Sequence, residues 1–353
     1  MPHTALVVGA SGIVGATLAR HIADQGWVVH GLARRPRTDI DGVIPLAADL
    51  LQPGALHSAV AHVRPTHVFF STWMRQATEA ENCAVNGALV RNLLGALADV
   101  PLQHVALVTG LKHYLGPFES YGQGALPPTP FREEQGRLPV LNFYYVQEDA
   151  VFEAADKRGF GWSVHRPHTI IGYALGNAMN MGVTLAVYAS LCRELGRPFL
   201  FPGSAAQWNG LTDMTDARLL ARHLEWASTC AAGRNQDFNV VNGDIFRWNW
   251  MWQRLAEYFG VEPAPYPDQP APLETQMQHD AEAWSQIAAR RGLVEPVLDR
   301  LVSPWHTDAD LGRPFEVVTD MSKSRRLGFL DYQPTLDSFF DLFTTLKANR
   351  VIP

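Results

Sequence analysis

One stretch near the start of the chain limits what it can fold into more than any other: TALVVGASGIVG, Thr4 to Gly15. Thr4 to Ala10 is a short apolar, β-branched run interrupted by glycine, the pattern of a strand buried on both faces of a parallel sheet. Gly9, Gly12 and Gly15 follow in Gly-x-x-Gly-x-x-Gly spacing, and an amphipathic stretch continues to about Asp24. The three glycines serve different ends. The first permits a tight turn, the second lets backbone approach a pyrophosphate, and the third lets helix pack on strand. A pyrophosphate would rest on the helix N-terminus, where free N–H groups and the dipole favour an anion. Ser11 and Ile13 lie in the same loop and join the expected cofactor contacts.

The strands that follow repeat the alternation. GWVVHGLARRP reads as a second strand, Trp27 to Ala33, ending in Arg34 and Arg35. An acidic residue there would suit the ribose hydroxyls of NAD, whereas two arginines suit the 2′-phosphate of NADP. GVIPLAADL delivers Asp49, placed for the adenine amino group. THVFFSTW ends at Thr72 and Trp73, and HVALVTG ends at Thr109 and Gly110, both on the cofactor side because ligands gather at the carboxyl ends of parallel strands. The Leu89, Leu93, Leu94 and Leu97 spacing in the helix from Glu79 to Ala98 is core packing.

Composition narrows the function classes. A chain of 353 residues with 47% hydrophobic and 18% charged residues is globular, and its net charge of -6 argues against nucleic-acid binding. No apolar segment approaches the roughly 20 residues that span a bilayer. The first residues lack the pattern of a signal peptide, and Cys83, Cys192 and Cys230 are too dispersed for a zinc site or disulfide framework, so a cytoplasmic setting is expected.

NFYYVQED, Asn142 to Asp149, places two tyrosines at a helix start. In the Tyr-x-x-x-Lys enzymes of this fold, a lysine one turn after the tyrosine lowers the phenol pKa. Here those positions hold Glu148 and Asp149. The chemistry requires only a cation beside the phenol, and Lys112, two residues beyond the fifth strand, can supply it. Periodicity does not choose between Tyr144 and Tyr145, which point about 100° apart on a helix.

VTGLKHYLGPFESYG, NFYYVQED and WSVHRPHTIIGY, with GLARRP, STW, ATEAENC, FNVVNGD and MSKSRRLGFL, resemble the progesterone 5β-reductase and iridoid synthase-like family of atypical extended short-chain dehydrogenases/reductases. The resemblance implies that the catalytic pair is Tyr144 and Lys112, with Tyr145 in the core or the pocket wall. It also implies that Arg34, Arg35, Asp49, Leu50, Thr72, Ile170 and Met179 contact NADPH. Asn177 stands where relatives often carry serine, and His168 replaces a frequent glycine and would narrow the pocket.

The expected architecture is α/β: a Rossmann, doubly wound parallel sheet with helices on both faces and a smaller C-terminal substrate-binding lobe. Residues 1–171 form the NADP-binding part and 172–353 mostly the lobe, with 199–243 returning to the core sheet. PFLFPGSAAQWNG is expected to give a strand and loop, and Ala281 to Arg291 a helix. Trp73, Phe118, Tyr121, Trp305 and Phe315 are candidates for an apolar substrate wall, and the family resemblance puts Trp73 and Phe118 foremost. His113 and His165 have no carboxylate partner evident in sequence and are expected to make structural hydrogen bonds. The expected reaction is NADPH-dependent 1,4-reduction of an enone or enal, on a small apolar carbonyl compound. Competing readings are 1,2-reduction to an alcohol and a non-catalytic NADP sensor; a nucleotide-sugar epimerase would normally keep the helical lysine. The resemblance implies that a homodimer would use Glu79 to Ala98 and Tyr145 to Lys157, the helices through which this superfamily often dimerises.

Overall fold

The computed structural model describes residues 3–117, 128–176, 179–267 and 269–353. The first half runs β1 (Thr4–Val8), α1 (Ile13–Asp24), β2 (Val28–Ala33), β3 (Val43–Ala47), α2 (Pro53–Val60), β4 (His67–Phe70), α3 (Glu79–Ala96), β5 (His104–Val108), α4 (Lys112–Leu115) and α5 (Phe143–Arg158). It is followed by β6 (Gly161–Pro167), β7 (Ile170–Ile171), α6 (Met181–Leu195), α7 (Ala205–Asn209), β8 (Thr215–Asp216), α8 (Ala217–Thr229) and β9 (Gln236–Val240). The chain closes with α9 (Trp248–Phe259), α10 (Leu273–Met277), α11 (Ala281–Arg291), α12 (Pro304–Leu311), α13 (Ser322–Arg326) and α14 (Thr335–Ala348).

Seven strands pair in the order β3-β2-β1-β4-β5-β6-β9, all parallel. The direction of winding reverses between β1 and β4, so a crevice opens at their carboxyl ends, where such sheets bind ligands. The side-chain alternation of the strands builds two cores. Leu6, Val8, Val68, Phe70, Val105 and Leu107 face α2, α3 and α5, whereas Ala5, Val7, Phe69, Ala106 and Phe238 face α1 and α8. The strands therefore read as continuous apolar runs, because both faces are covered.

A third hydrophobic cluster is drawn from residues 171–352, around α6, α9 and α14. Phe199 stacks on Trp252 with ring centroids 3.9 Å apart, and Trp252 donates its indole N–H to the Phe199 carbonyl at 2.9 Å. This corrects the strand expected over PFLFPGSAAQWNG: the segment makes a single bridge, Phe199 to Pro263, and then the short α7. Phe199 and Phe201 are both fully buried among aromatic rings, so their spacing reflects ring packing instead of a ladder. Of residues 199–243, β9 joins the main sheet, whereas β8 pairs with β7 in a separate two-stranded sheet.

The glycine loop is held by close packing. Gly9 has φ +87°, and a Cβ at Gly15 would lie 2.2 Å from the Gly9 carbonyl oxygen, inside any permitted contact. At Gly12 the nearest atom would be 3.4 Å away, an ordinary contact. Gly15→Ala is therefore expected to cost about 1–3 kcal/mol of stability by overpacking, and Gly12→Ala less than about 1 kcal/mol. Urea denaturation of the two variants checks this, and equal losses would contradict it.

Across the sheet runs a buried chain of histidines and serines. His104 Nε2 and His165 Nε2 each lie 2.9 Å from Ser163 Oγ, His165 Nδ1 is 3.1 Å from His223 Nδ1, and His223 Nε2 is 2.9 Å from Ser324 Oγ. A nitrogen-to-nitrogen bond needs one ring to accept, so at least one of His165 and His223 is neutral. Burial lowers the pKa of His104 and of His223 to about 3 and that of His165 well below its ordinary value. The unfolded chain takes up protons below about pH 6.5 that these folded rings refuse. Stability is thus expected to be full above that pH and to fall as the solution is acidified toward pH 4. Denaturation midpoints measured between pH 7 and 4.5 should decline, less steeply in His104→Gln.

Candidate active site

A cleft of about 1110 Å³ lies at the carboxyl ends of β1, β4, β5 and β6. Gly9, Ser11, Gly12 and Ile13 form its floor at the start of α1. Gly12 caps α1 with no side-chain acceptor, so the amides of the first turn are left for an anion. Arg34 and Arg35, both exposed, line one end from the close of β2. Thr72, Trp73, Thr109, Ile170, Met179 and His168 also border the cleft. Gly15 does not, because its place is against Gly9. Asp49 and Leu50 stand apart from the lining as well; the Asp49 carboxylate accepts from Leu51 N–H at 2.9 Å. Phe118, Tyr121 and Asn177 lie outside the described residues.

The apolar wall differs from expectation. Trp305 carries the Arg75 guanidinium 3.6 Å over its ring, and Phe315 packs with Leu111 and Tyr114; neither lines the cleft. In their place stand Thr169, His306, Asp310 and Arg313, of which α12 supplies the second and third. Sequence reasoning missed these residues. The signal available was His306 and Asp310 four residues apart in one helical stretch, which puts both on one face.

Tyr144 and Lys112 come from separate elements and both line this cleft. Both are buried. The Lys112 ammonium lies 5.3 Å from the Trp73 ring centroid and 5.1 Å from that of Phe143, within cation–π range, and the two rings stack at 5.3 Å. Gly110 makes room for the phenol: a Cβ there would lie 3.3 Å from Tyr144 Oη and from the Pro167 carbonyl.

One side chain ties the two elements together. Asn142 Nδ2 donates to the Lys112 carbonyl at 2.7 Å, and Asn142 Oδ1 caps α5 by accepting from Tyr144 N–H at 3.0 Å. Glu79 accepts from the Phe143 N–H at 2.8 Å, and Tyr145 Oη donates to the His113 carbonyl at 2.6 Å while accepting from Leu138 N–H at 3.0 Å. Tyr145 thus faces away from the cleft and holds the lysine loop from behind.

Glu148 fills the position that a helical lysine would occupy. It is buried, with Arg137 at 2.9 Å, Arg166 at 3.7 Å and His113 Nδ1 at 3.8 Å. Burial pushes its carboxyl up, but His113, Arg166 and Arg137 outweigh that and hold it below the ordinary carboxylate range. His113 therefore has a carboxylate neighbour after all, one that lies 35 residues away in sequence and becomes adjacent only when α5 packs behind the loop. His165 belongs to the buried chain described above.

The profile of a family described as a PRISE-like Rossmann-fold domain matches residues 38–353. The chain belongs to that family. Its assignment to the progesterone 5β-reductase and iridoid synthase-like group is borne out, and with it an oxidoreductase of the extended short-chain dehydrogenase/reductase type. It is 37% identical to an (S)-8-oxocitronellyl enol synthase of Camptotheca acuminata, over 99% of this chain and 93% of that protein. It is 36% identical to a 3-oxo-Δ(4,5)-steroid 5-β-reductase of Arabidopsis thaliana, over 99% and 93%. Among solved structures, the UDP-glucose 4-epimerase of Thermotoga maritima superposes with a TM-score of 0.68 at 13% identity, covering 98% of this chain and 99% of that one. The Bordetella bronchiseptica enzyme WbmG, in complex with NAD and UDP, gives 0.67 at 15%, covering 100% and 98%. At such identities the likeness shows the fold alone. No helix among the described residues is long and apolar enough to cross a membrane.

The Asn142 bridge separates two effects. Asn142→Ala removes the cap and the tie, and should cost about 1–2 kcal/mol of stability together with reductase turnover. Asn142→Asp keeps the cap acceptor for Tyr144 N–H but sets a buried carboxylate oxygen against the Lys112 carbonyl, so it too should lose about 1–3 kcal/mol of stability, while turnover of the folded enzyme falls at least tenfold. Native turnover in the aspartate variant would show that the bridge does not set the pair.

Proposed function

We propose that this chain is an NADPH-dependent reductase of activated carbon–carbon double bonds, performing 1,4-reduction of enones or enals. The observation that carries the reading is the convergence of Tyr144 and Lys112, from two elements, on a cleft floored by the glycine loop. The residues present fit the cofactor. The uncapped N-terminus of α1 and the Gly9 turn suit a pyrophosphate, and Arg34 and Arg35 suit the additional phosphate that distinguishes NADPH. Bound there, NADPH supplies a hydride for the β-carbon of the substrate.

The chain's own groups act at the other end of the conjugated system. Tyr144 donates a hydrogen bond to the carbonyl oxygen, where enolate charge develops as the double bond is reduced. Lys112 lies in the same desolvated wall and stabilises that charge, because its ammonium is flanked by Trp73 and Phe143 instead of water. The α-carbon takes its proton from solvent, so Tyr144 need not protonate carbon. Two relatives, named as an enol synthase and a steroid 5-β-reductase, fit a site that handles enolates and conjugated ketones. The glycine turn supports the dinucleotide class, with the arginines favouring the phosphorylated form.

Incubating the protein with NADPH and a small enone, followed by product analysis, tests the reading. Saturated ketone is the expected product, and an allylic alcohol would overturn it in favour of carbonyl reduction. Tyr144→Phe should lower kcat by roughly 10²- to 10³-fold, the usual loss when a donor to a developing oxyanion is removed.

A further inference from the structure

A second cavity, of about 440 Å³, lies outside the catalytic cleft. The two share α4: Lys112 lines the cleft, and His113, the next residue, lines the second cavity with Glu148 of α5 and Arg166 of β6. These three side chains are more than nine-tenths buried, at 3%, 1% and 4% exposed. Each nevertheless has a polar atom without a hydrogen-bond partner: His113 Nδ1, Glu148 Oε1 and Arg166 Nε. Glu148 Oε1 stands 3.8 Å from His113 Nδ1 and 3.7 Å from the nearest Arg166 terminal nitrogen, beyond hydrogen-bond distance of both. Native proteins rarely leave buried polar atoms unfilled, and three on the lining of one cavity call for a polar guest. The neighbouring cations hold Glu148 ionised, so its open oxygen can only accept and needs a donor.

The charge of the lining gives that donor a sign. Five carboxylates face two guanidiniums. Arg137 pairs with Glu148 and Asp149, while Arg166 and Lys323 pair with Asp237. Glu133 and Glu134 are left with no ion pair among the described residues. Counting Lys323 and even a protonated His113 as cations, negative charge remains in excess. Residues 118–127 contain no lysine, arginine or histidine that could balance it. Glu133 is half-buried and fixed, accepting from the Asn239 N–H at 2.9 Å, and burial pushes its carboxyl up. No three His, Cys, Asp or Glu side chains among the described residues gather as a metal site, so the carboxylates suit a guest whose own charges are spaced apart. Phe152 and Trp162, with ring centroids 4.2 Å apart, line the same cavity and offer faces to methylenes and to a cation.

We propose that this cavity binds a small aliphatic diamine, its ammonium groups matched to Glu133, Glu134 and the unfilled Glu148 oxygen, and its methylenes to Phe152 and Trp162. The site is separate from the catalytic cleft and does not rest on the reductase reading.

Isothermal titration calorimetry of the full chain with butane-1,4-diamine, butane-1,4-diol and potassium chloride, at matched ionic strength, tests this. The diamine should bind saturably, one per chain, and the diol and the salt should give no saturable heat. Glu133→Gln keeps an oxygen for the Asn239 N–H and should weaken the diamine about tenfold or more. Glu134→Gln, at an exposed position that the fold does not depend on, should weaken it severalfold. Asp99→Asn, exposed and outside the cavity, should leave Kd unchanged. Absence of saturable diamine binding, a diol that binds as well, or equal losses in Asp99→Asn and the two glutamine variants would each overturn the proposal and show a cavity filled by solvent. No enone enters the titration, so its failure would leave the reductase reading untouched.

Discussion

The carbonyl of Lys112 and the amide of Tyr144 share a single partner, the Asn142 side chain. The proposed catalytic pair depends on that arrangement, because the lysine and the tyrosine belong to different elements. Where both groups sit on the same helical face, helix geometry fixes their separation. Here a loop and a helix must be registered by hydrogen bonds, and several converge on the junction. Glu79, in the first turn of α3, receives the Phe143 amide; its helix is itself anchored by the reciprocal Thr78 and Glu81 capping box. Tyr145 grips the loop from the other side. The sheet contributes through Gly110, whose missing side chain admits the phenol at the end of β5.

The charged groups behind the junction follow the same logic. Glu148 lies among Arg137, Arg166 and His113, and Arg166 reaches Asp237 on β9 at 2.8 Å. Buried pairs of this kind contribute little net stability, since desolvation consumes much of the Coulomb gain, but a mispaired arrangement is heavily penalised. They therefore select one register of α5 against the lysine loop and β6.

Much of this was legible in local sequence. The Gly9, Gly12 and Gly15 spacing, the strand ends at Thr72 and Thr109, and the arginine pair after β2 are patterns whose physical cause lies within a few residues, and the structure places all of them except Gly15 around one cleft. The Tyr144 and Lys112 pairing was legible only as a set of motifs, since 32 residues separate the two and no periodicity links them. Asp310 and Arg313 stayed hidden for a related reason: their partners Thr169 and His168 are more than 140 residues away, and only the fold brings them together. Aromatic residues misled in the opposite direction. Trp305 and Phe315 look like pocket walls by type, yet one lies under an arginine and the other fills the small core behind Leu111.

Glu148 also bears on how freely this active site can change. Returning a lysine to that helical position would bury a cation beside Arg137 and Arg166 and remove the carboxylate that reconciles them. A helical lysine would therefore require several simultaneous substitutions around position 148, each unfavourable alone. The lysine's place on the loop is thereby locked in by the charges behind α5, and not by the loop itself.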